Sequence, residues 1–501
     1  MLTSEELTQI LNICIELTSE RDKSLLLSRL LDIAMEFTDC DGGTIYLKKD
    51  DTLEFMVMKT KSLGIDKGSK GEKIELPPVP LRESNVCAYS AIHHKLINIK
   101  DVYTDTTFDF TGPKRYDAMT GYHTGSMIVV PMENGDGRLA GVMQLLNGGM
   151  SDGTNCFFED DEFVLKALSS MTTVLLFNMI YTADIKKMMR SFVSAFAATV
   201  DKRTPYNGSH TRKVALYSEL IAKEIDTVCS EGDAEYFNEN RLEQLVLAAY
   251  LHDIGKMIVP LGVMNKETRL NGKLTDIRQR FDFIKVNLER DMLRGHISEA
   301  DYEARVRELE DYYGFIARID NAGFMPDEDL AKVDEIAKHS YTDPSGMELK
   351  YLTDEEYGDL KIRKGTLTDE ERRIMESHVT MTRDILSEVY FNDDYANVPG
   401  FAASHHEMLD GKGYPNHLKG DELGLETRIL AAADIYDALT AADRPYKKPM
   451  SREKAFAILH SMVDEGKLDG HVVGLLETAV NRFTDDELKV MLDELGMKLD
   501  A

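Results

Sequence analysis

The sequence predicts a multidomain chain: an α+β domain over residues 1–180, a long linker helix over 160–200, and an all-α domain over 190–501 carrying an inserted helical subdomain over 266–366. Three observations carry this reading. A length of 501 residues exceeds the usual size of one compact domain. The first part begins and ends with helical periodicity but alternates like strands between, whereas the remainder is helix-dominated and broken by loops at Pro205, Pro260, Pro399 and Pro415. From Asp160 to about Val200 the pattern stays helical without Pro or Gly, longer than an ordinary globular helix.

In the first domain, Gly43-Thr44-Ile45-Tyr46-Leu47 and Ser126-Met127-Ile128-Val129-Val130 read as strands. The runs Ile128 to Met132 and Ala140 to Leu146 flank Glu133-Asn134-Gly135-Asp136-Gly137, whose Asn-Gly and Asp-Gly pairs favour a hairpin. In the linker, Val164, Leu165, Leu168, Met171, Val174, Leu175 and Met179 recur at three- and four-residue steps. That spacing suits pairing with a second copy, or packing on the helix's own domain. Between Lys266 and Thr366 lies a charge-rich, mostly helical stretch with no constellation of metal ligands.

Composition narrows the function. Apolar content of 43% and charged content of 29% are those of a folded globular chain. A net charge of -29 opposes binding to nucleic-acid polymers or acidic lipid surfaces, which are held by Lys and Arg. A small phosphate ligand is then expected only where bound metals and a few placed cations offset the background. Cys14, Cys40, Cys87, Cys156 and Cys229 are scattered, odd in number and without CxxC spacing, which predicts a reducing, cytoplasmic setting rather than a disulfide framework. The N-terminus lacks the pattern of a signal peptide. The longest apolar run, Met171 to Ala183, is broken by Asn178 and falls short of the ~20 residues that span a bilayer, so no membrane insertion is expected.

His252 and Asp253 are adjacent within the apolar "LAAYLHDIGK", where an unpaired carboxylate is costly to bury. A divalent cation compensates that cost, since Asp bridges metals through two oxygens and His supplies a neutral imidazole. Further ligand-type residues stand in apolar or helical contexts: His210, His378, His405, His406 and Asp434. Together the seven supply ligands for two metals. The remaining histidines, His93, His94, His123, His296, His339, His417, His460 and His471, lack such context.

Two resemblances follow. Most of residues 15–180 resembles a GAF domain, through "GYHTGSMIVVPM", "GRLAGVMQLLN" and "FFEDDEFVLKALSSMTTVL" in order. That resemblance implies a sensory or dimerising module, with either a small-molecule ligand or a purely structural role. Residues 200–260 and 365–450 resemble an HD-GYP domain of the HD phosphohydrolase superfamily, through "HDIGK", "HHEMLDGKGYP" and "ADIYDALTAADRPYK". This implies an enzyme, a phosphodiesterase for cyclic di-GMP or the mixed cyclic GMP-AMP, yielding a linear dinucleotide or mononucleotides.

The HD-GYP resemblance also implies roles. One metal would be held by His210, His252, Asp253 and Asp434, and the other by Asp253, His378, His405 and His406, with Asp253 as the bridge. Two such cations, about 3.5–4 Å apart, would activate water and neutralise charge on a phosphodiester. Lys256, one helical turn beyond His252, would meet a phosphate oxygen or the leaving group. Gly413, Tyr414 and Pro415 would present a tight loop to substrate. Arg444 and Lys447 would grip a second phosphate or a guanine edge. Iron or manganese fits the resemblance, and zinc also suits the donors.

Three departures from the family pattern bear on this. Tyr206 stands where some members place a glutamate that serves a third metal, so two are expected. One extra residue in "TAAD" displaces Arg444, and the 266–366 insertion parts Lys256 from His378. The competing expectations are a phosphohydrolase of another nucleotide, against which the "GYP" loop argues, and a non-catalytic receptor for cyclic dinucleotides. A homodimer through the GAF module and linker helix is expected.

Overall fold

The computed structural model describes residues 15–497 other than 16, 19, 152, 204–208 and 442–448. The chain divides into two compact units, Met1–Lys187 and Met188–Ala501.

The first unit is built on a seven-stranded sheet in the order β3-β2-β1-β7-β6-β5, with β4 paired to β2. Its strands are β1 (Gly42–Lys49), β2 (Thr52–Thr60), β3 (Ile65–Lys67), β4 (Val79–Pro80), β5 (Ile97–Ile99), β6 (Met127–Glu133) and β7 (Leu139–Leu146). Strand side chains point to alternate faces. Ile45, Leu47, Ile128, Val130, Met143 and Leu145 therefore enter one core with the helix Lys23–Phe37. Tyr46, Met127, Val129 and Val142 enter a second core on the opposite face. The expected hairpin is β6–β7, antiparallel, with Met127 opposite Leu146. Its turn is closed by Asn134, whose side-chain oxygen accepts from the amides of Asp136 and Arg138.

The expected long helix is continuous from Glu159 to Arg203, 45 residues. Glu159, Asp160, Asp161 and Glu162 fill its first turn and Lys202 and Arg203 its last, both favourable to the helix dipole. The sequence-derived seam is corrected here. Val164, Leu165 and Leu168 are buried in the unit's own core, and Met171, Leu175 and Met179 pack against it. Of the seven only Val174 is exposed. A different stripe faces outward, namely Val174, Tyr181, Ile185, Met188 and Phe192. By length and composition this helix could cross a membrane, contrary to the expectation from its longest unbroken apolar run, and 44% of its most apolar 18 residues is buried in the protein.

The second unit packs helices His210–Asp226, Glu239–Leu251, Leu425–Thr440, Arg452–Asp464 and Gly470–Asn481 around one core, joined by Met189, Val193 and Ala197 of the long helix. Leu425–Thr440 is the innermost: Ile429 to Asp434 are all buried, as its apolar, alanine-rich sequence requires. One local expectation fails. The helix bearing the His-Asp pair stops at Leu251, His252 caps it, and Ile254–Met257 is a 3-10 turn. Lys256 is thus set on a tight turn rather than one α-helical turn along the same face.

Residues from Leu270 to Leu360 gather around a separate core centred on Phe281, Ile316 and Ile319. Its helices are Leu274–Leu293, Glu299–Asp320, Asp327–Ile336 and Asp354–Leu360. The sequence reading missed a hairpin, β8 (Ser340–Thr342) with β9 (Glu348–Lys350), whose turn is folded by the Asp343 carboxylate accepting from the amides of Ser345 and Met347. At the base, the buried Lys266 ammonium meets Asp359 at 3.0 Å and Glu371 at 2.8 Å, and its carbonyl accepts from the Thr366 hydroxyl. Removing one partner of a buried ion pair costs about 3–5 kcal/mol. Because Asp359 keeps Lys273 as a partner, Lys266→Met is expected to cost about 3 kcal/mol, the lower end of that range. Hydrogen exchange should show lost protection in Leu274–Leu293 and Asp354–Leu360, with β1 and β7 unaffected.

Candidate metal centre

Five chain segments deliver seven side chains to one point in the second unit. His210 opens the helix His210–Asp226, and His252 caps Glu239–Leu251 with Asp253 following. His378 opens His378–Ser387, His405 and His406 follow the short helix Val398–Ala402, and Asp434 lies midway along Leu425–Thr440. The ligand atoms of His210, His252 and Asp434 fall within 4.8 Å of one another, as do those of His378, His405 and His406 and those of His252, Asp253 and His405. All seven sequence-derived ligand candidates therefore converge.

The Asp253 carboxylate stands between two histidine sets. Its Oδ2 is 3.4 Å from His210 Nε2 and 3.3 Å from His252 Nε2. Its Oδ1 is 3.5 Å from His378 Nε2 and 3.9 Å from His405 Nε2. Asp434 Oδ1 lies 3.3 Å from His210 Nε2, and its Oδ2 lies 3.8 Å from His406 Nδ1. Charge-assisted hydrogen bonds close to ~2.7–2.9 Å. Donors that share a cation at ~2.0–2.2 Å stand roughly 3–3.4 Å apart in tetrahedral or octahedral arrangements. The shorter separations fall in the second range.

Which nitrogen faces inward is fixed from outside. Nδ1 of His252, His378 and His405 contacts the carbonyls of Ala249, Met375 and Ala402 at 2.6–2.7 Å, the residue three earlier in each case. Nδ1 of His210 meets Asp437 Oδ2 at 2.7 Å. A carbonyl can only accept, so in His252, His378 and His405 Nδ1 carries the proton and Nε2 presents a lone pair to the centre. Nε2 of His252, His378 and His405, together with Asp253 Oδ1, are buried atoms without a hydrogen-bond partner. Such orphans are costly. A cation answers all of them at once.

The ionisation states agree with a ligand set. Burial pushes His378 down to about 4, and burial with neighbouring imidazoles holds His405 well below the usual range. Burial also lowers His406. Burial would raise Asp253, yet the Lys256 ammonium and the imidazoles hold it well below the carboxylate range. Asp434 is likewise lowered by His210 and its neighbours against the effect of burial. Burial would depress His210, but hydrogen bonds with Asp253, Asp434 and Asp437 outweigh it and raise the imidazole well above its ordinary value. The half built on His210 thus attracts positive charge, and the other half offers neutral imidazoles. Both fit divalent metals.

Several contributors were not legible in advance. Asp437, one turn beyond Asp434 on the buried helix, orients His210. Thr382 donates to the His252 carbonyl at 2.9 Å and accepts from the Gly255 amide, pinning the turn to the His378 helix. A Cβ on Gly255 would lie 1.9 Å from the His378 carbonyl oxygen, so only glycine admits this approach. Glu407, 1% exposed, accepts from the amides of Asn416 and Leu418 and holds the following loop. A Cβ on Gly413 would collide with the Met408 amide at 2.3 Å. Tyr414 lies beside His406 with ring centroids 4.8 Å apart and planes tilted by 38°, and its bond to Pro415 is cis. Lys256 Nζ stands 2.5 Å from Asp253 Oδ2. Arg444, Lys447 and Tyr206 lie outside the described residues.

Comparison with known proteins now adds names to this geometry. Residues 22–174 match the GAF domain, and residues 207–319 and 355–472 match HD domains. The chain is 24% identical over 298 residues to "3'3'-cGAMP-specific phosphodiesterase 3" of Vibrio cholerae serotype O1, covering 60% of this chain and 40% of that protein. It is 38% identical over 101 residues to "Cyclic di-GMP phosphodiesterase response regulator RpfG" of Xanthomonas campestris pv. campestris, covering 20% and 26% respectively. The chain thus spans less than half the length of these relatives. The solved GAF domain of an Acinetobacter phosphoenolpyruvate-protein phosphotransferase aligns at 14% identity and TM-score 0.28, covering 36% of this chain and 99% of that one. The chain thus joins a region that matches the GAF domain to two regions that match HD domains.

Proposed function

We propose that the chain is a metal-dependent phosphodiesterase of the HD-GYP type that hydrolyses a cyclic dinucleotide, with cyclic di-GMP and 3'3'-cGAMP as the substrates to test. The observation that carries this reading is the buried Asp253 carboxylate offering one oxygen to His210 and His252 and the other to His378 and His405. His210, His252, Asp253 and Asp434 would hold one divalent ion, and Asp253, His378, His405 and His406 a second, iron or manganese. When bound, such ions supply Lewis acidity toward water and phosphate oxygens.

The chain's own residues do the rest. The two carboxylates and a net charge of -29 repel a phosphodiester until cations offset them. With Asp253 engaged as a ligand, the Lys256 ammonium loses its present partner and is available to a phosphate or leaving-group oxygen. Asp437 keeps His210 in the ligating tautomer. Tyr414, beside His406 on a loop fixed by Glu407, Gly413 and Pro415, offers an aromatic face to a base. Arg444 and Lys447 are the proposed grip on the second phosphate. The GAF domain is the proposed regulator, and residues 266–366 are proposed as an inserted subdomain. Val174, Tyr181, Ile185, Met188 and Phe192 recur at steps of seven, four, three and four, the spacing of a coiled-coil seam, and would join two copies.

Metal-loaded protein, purified without oxygen, is expected to contain two metals per chain by elemental analysis and to convert cyclic di-GMP or 3'3'-cGAMP to linear products. Turnover of linear nucleotides alone, or binding without turnover at verified metal content, would sink the reading; the second result would favour a receptor. Asp253→Asn should retain at most one metal and lose at least about 100-fold in kcat. Asp437→Asn should weaken metal affinity by about 10–100-fold while leaving the fold intact by circular dichroism. For the seam, Ile185→Glu with Phe192→Glu should convert a dimer to a monomer in light scattering, and an unchanged mass would reject it.

A further inference from the structure

The last stretch of the long helix, beyond Met188, makes three polar attachments within the second unit, and each reaches an element that carries part of the metal centre. Arg190 Nη2 meets the buried Glu243 carboxylate at 2.7 Å, on the helix that ends in His252. Asp201, 4% exposed, accepts from the Thr211 hydroxyl at 2.6 Å, next to His210. Arg203 forks across the turn after Asp253: Nη1 donates to the Lys256 carbonyl and Nη2 to the Val259 carbonyl, both at 2.9 Å. Val193 and Ala197 bury the same stretch in the core, so it is held as a rod rather than as a loose tether.

The grip of Arg203 differs from an ordinary helix-end contact. The turn Ile254–Met257 is short, and its carbonyls beyond Asp253 have no further helix to receive amides. A planar guanidinium satisfies two of them in a fixed geometry, which one ammonium cannot reproduce. The backbone it holds is that of Lys256, whose ammonium reaches Asp253 from the same turn.

We infer that Arg203 is a positioning residue that sets where the Lys256 ammonium stands relative to Asp253, making the final turn of the helix Glu159–Arg203 the mechanical input to the reaction centre. This rests on the phosphodiesterase reading above for its kinetic consequence, but not for its structural one. A small axial shift or rotation of the rod is carried to the Lys256 carbonyl through Arg203 and to the start of the His210 helix through Asp201.

The test uses the full chain loaded with Mn2+ and assayed on cyclic di-GMP and 3'3'-cGAMP. Arg203→Ala should lower kcat about tenfold or more, a size usual for supporting contacts. KM should stay within about threefold and bound Mn2+ should not change. Arg203→Lys should recover part of the loss, and added guanidinium should restore part of the activity of Arg203→Ala but none of that of Lys256→Ala. An unchanged kcat, or a loss without rescue that tracks lost Mn2+ and a lower unfolding midpoint, overturns the inference. If Arg203→Ala does not fold, Arg203→Lys and Arg203→Gln carry the same comparison. Should the wild-type chain cleave neither cyclic dinucleotide, the proposed function fails while hydrogen exchange still decides the inference. Arg203→Ala must then speed exchange of the Lys256 and Ile258 amides without altering Gly470–Asn481, and equal exchange rejects it.

Discussion

A carboxylate buried among imidazole nitrogens that have nothing to bond is the constraint around which the second unit is arranged. Asp253 is 2% exposed, and its Oδ1 and three neighbouring Nε2 atoms lack hydrogen-bond partners. Protein interiors do not ordinarily leave four such atoms together, because each carries a desolvation cost that nothing repays. Here the surrounding structure prevents relief. Three rings are tethered through Nδ1 to carbonyls of their own turns, and the fourth through Nδ1 to Asp437, so none can rotate to find another partner. The same tethers that make the polypeptide alone electrostatically unfavourable at this point preorganise it for cations.

That arrangement determines the backbone around it. The helix Glu239–Leu251 stops so that two consecutive residues, His252 and Asp253, can face one point, which continuous α-helix would separate by about 100°. The turn that follows is pressed against the His378 helix, closely enough to exclude any Cβ at residue 255, and Thr382 bonds both sides of the junction. Leu425–Thr440 passes through the core with alanines at its contact face, bringing Asp434 and Asp437 to His210 from inside the fold. The centre therefore sits where buried helices meet rather than on mobile loops, an arrangement suited to precise ligand geometry.

The parts remote from the centre follow different physics. The sheet of the first unit has two hydrophobic faces and two cores, so its strands are apolar on both sides and its helices supply the cover. The long helix packs apolar residues from Val164 to Ile180 into one of those cores and Met189, Val193 and Ala197 into the core of the second unit, while Val174, Tyr181, Ile185, Met188 and Phe192 stay exposed along it. The Leu270–Leu360 region holds itself together with apolar packing and with buried charges such as Lys266 and Arg269, the latter spent on the carbonyls of Ile319 and Ile362. Neither of these two charges has its partners at the metal centre, where Lys256 instead meets Asp253.

Much of this was legible along the chain, and the remainder was not for identifiable reasons. The candidate ligands that the fold brings together could be read because a carboxylate in "LAAYLHDIGK" or "ILAAADIYDAL" has no cheap burial without a partner. The β6–β7 hairpin and the 45-residue helix are equally local, set by turn residues and by an unbroken period. What lies on either side of a helix is not local. The periodicity of Val164 to Met179 marked an apolar face correctly and could not say whether that face meets another copy or its own sheet. Nor could spacing reveal that Thr382, Glu407 and Asp437 are the supports of the site, since a threonine or carboxylate on a helix looks the same whether it bonds water or a residue 227 positions away. The sequence by itself determined which atoms were available to hold metal. Only the tertiary structure decided which oxygen of Asp253 faces which histidines, because that depends on distant segments meeting at ångström precision.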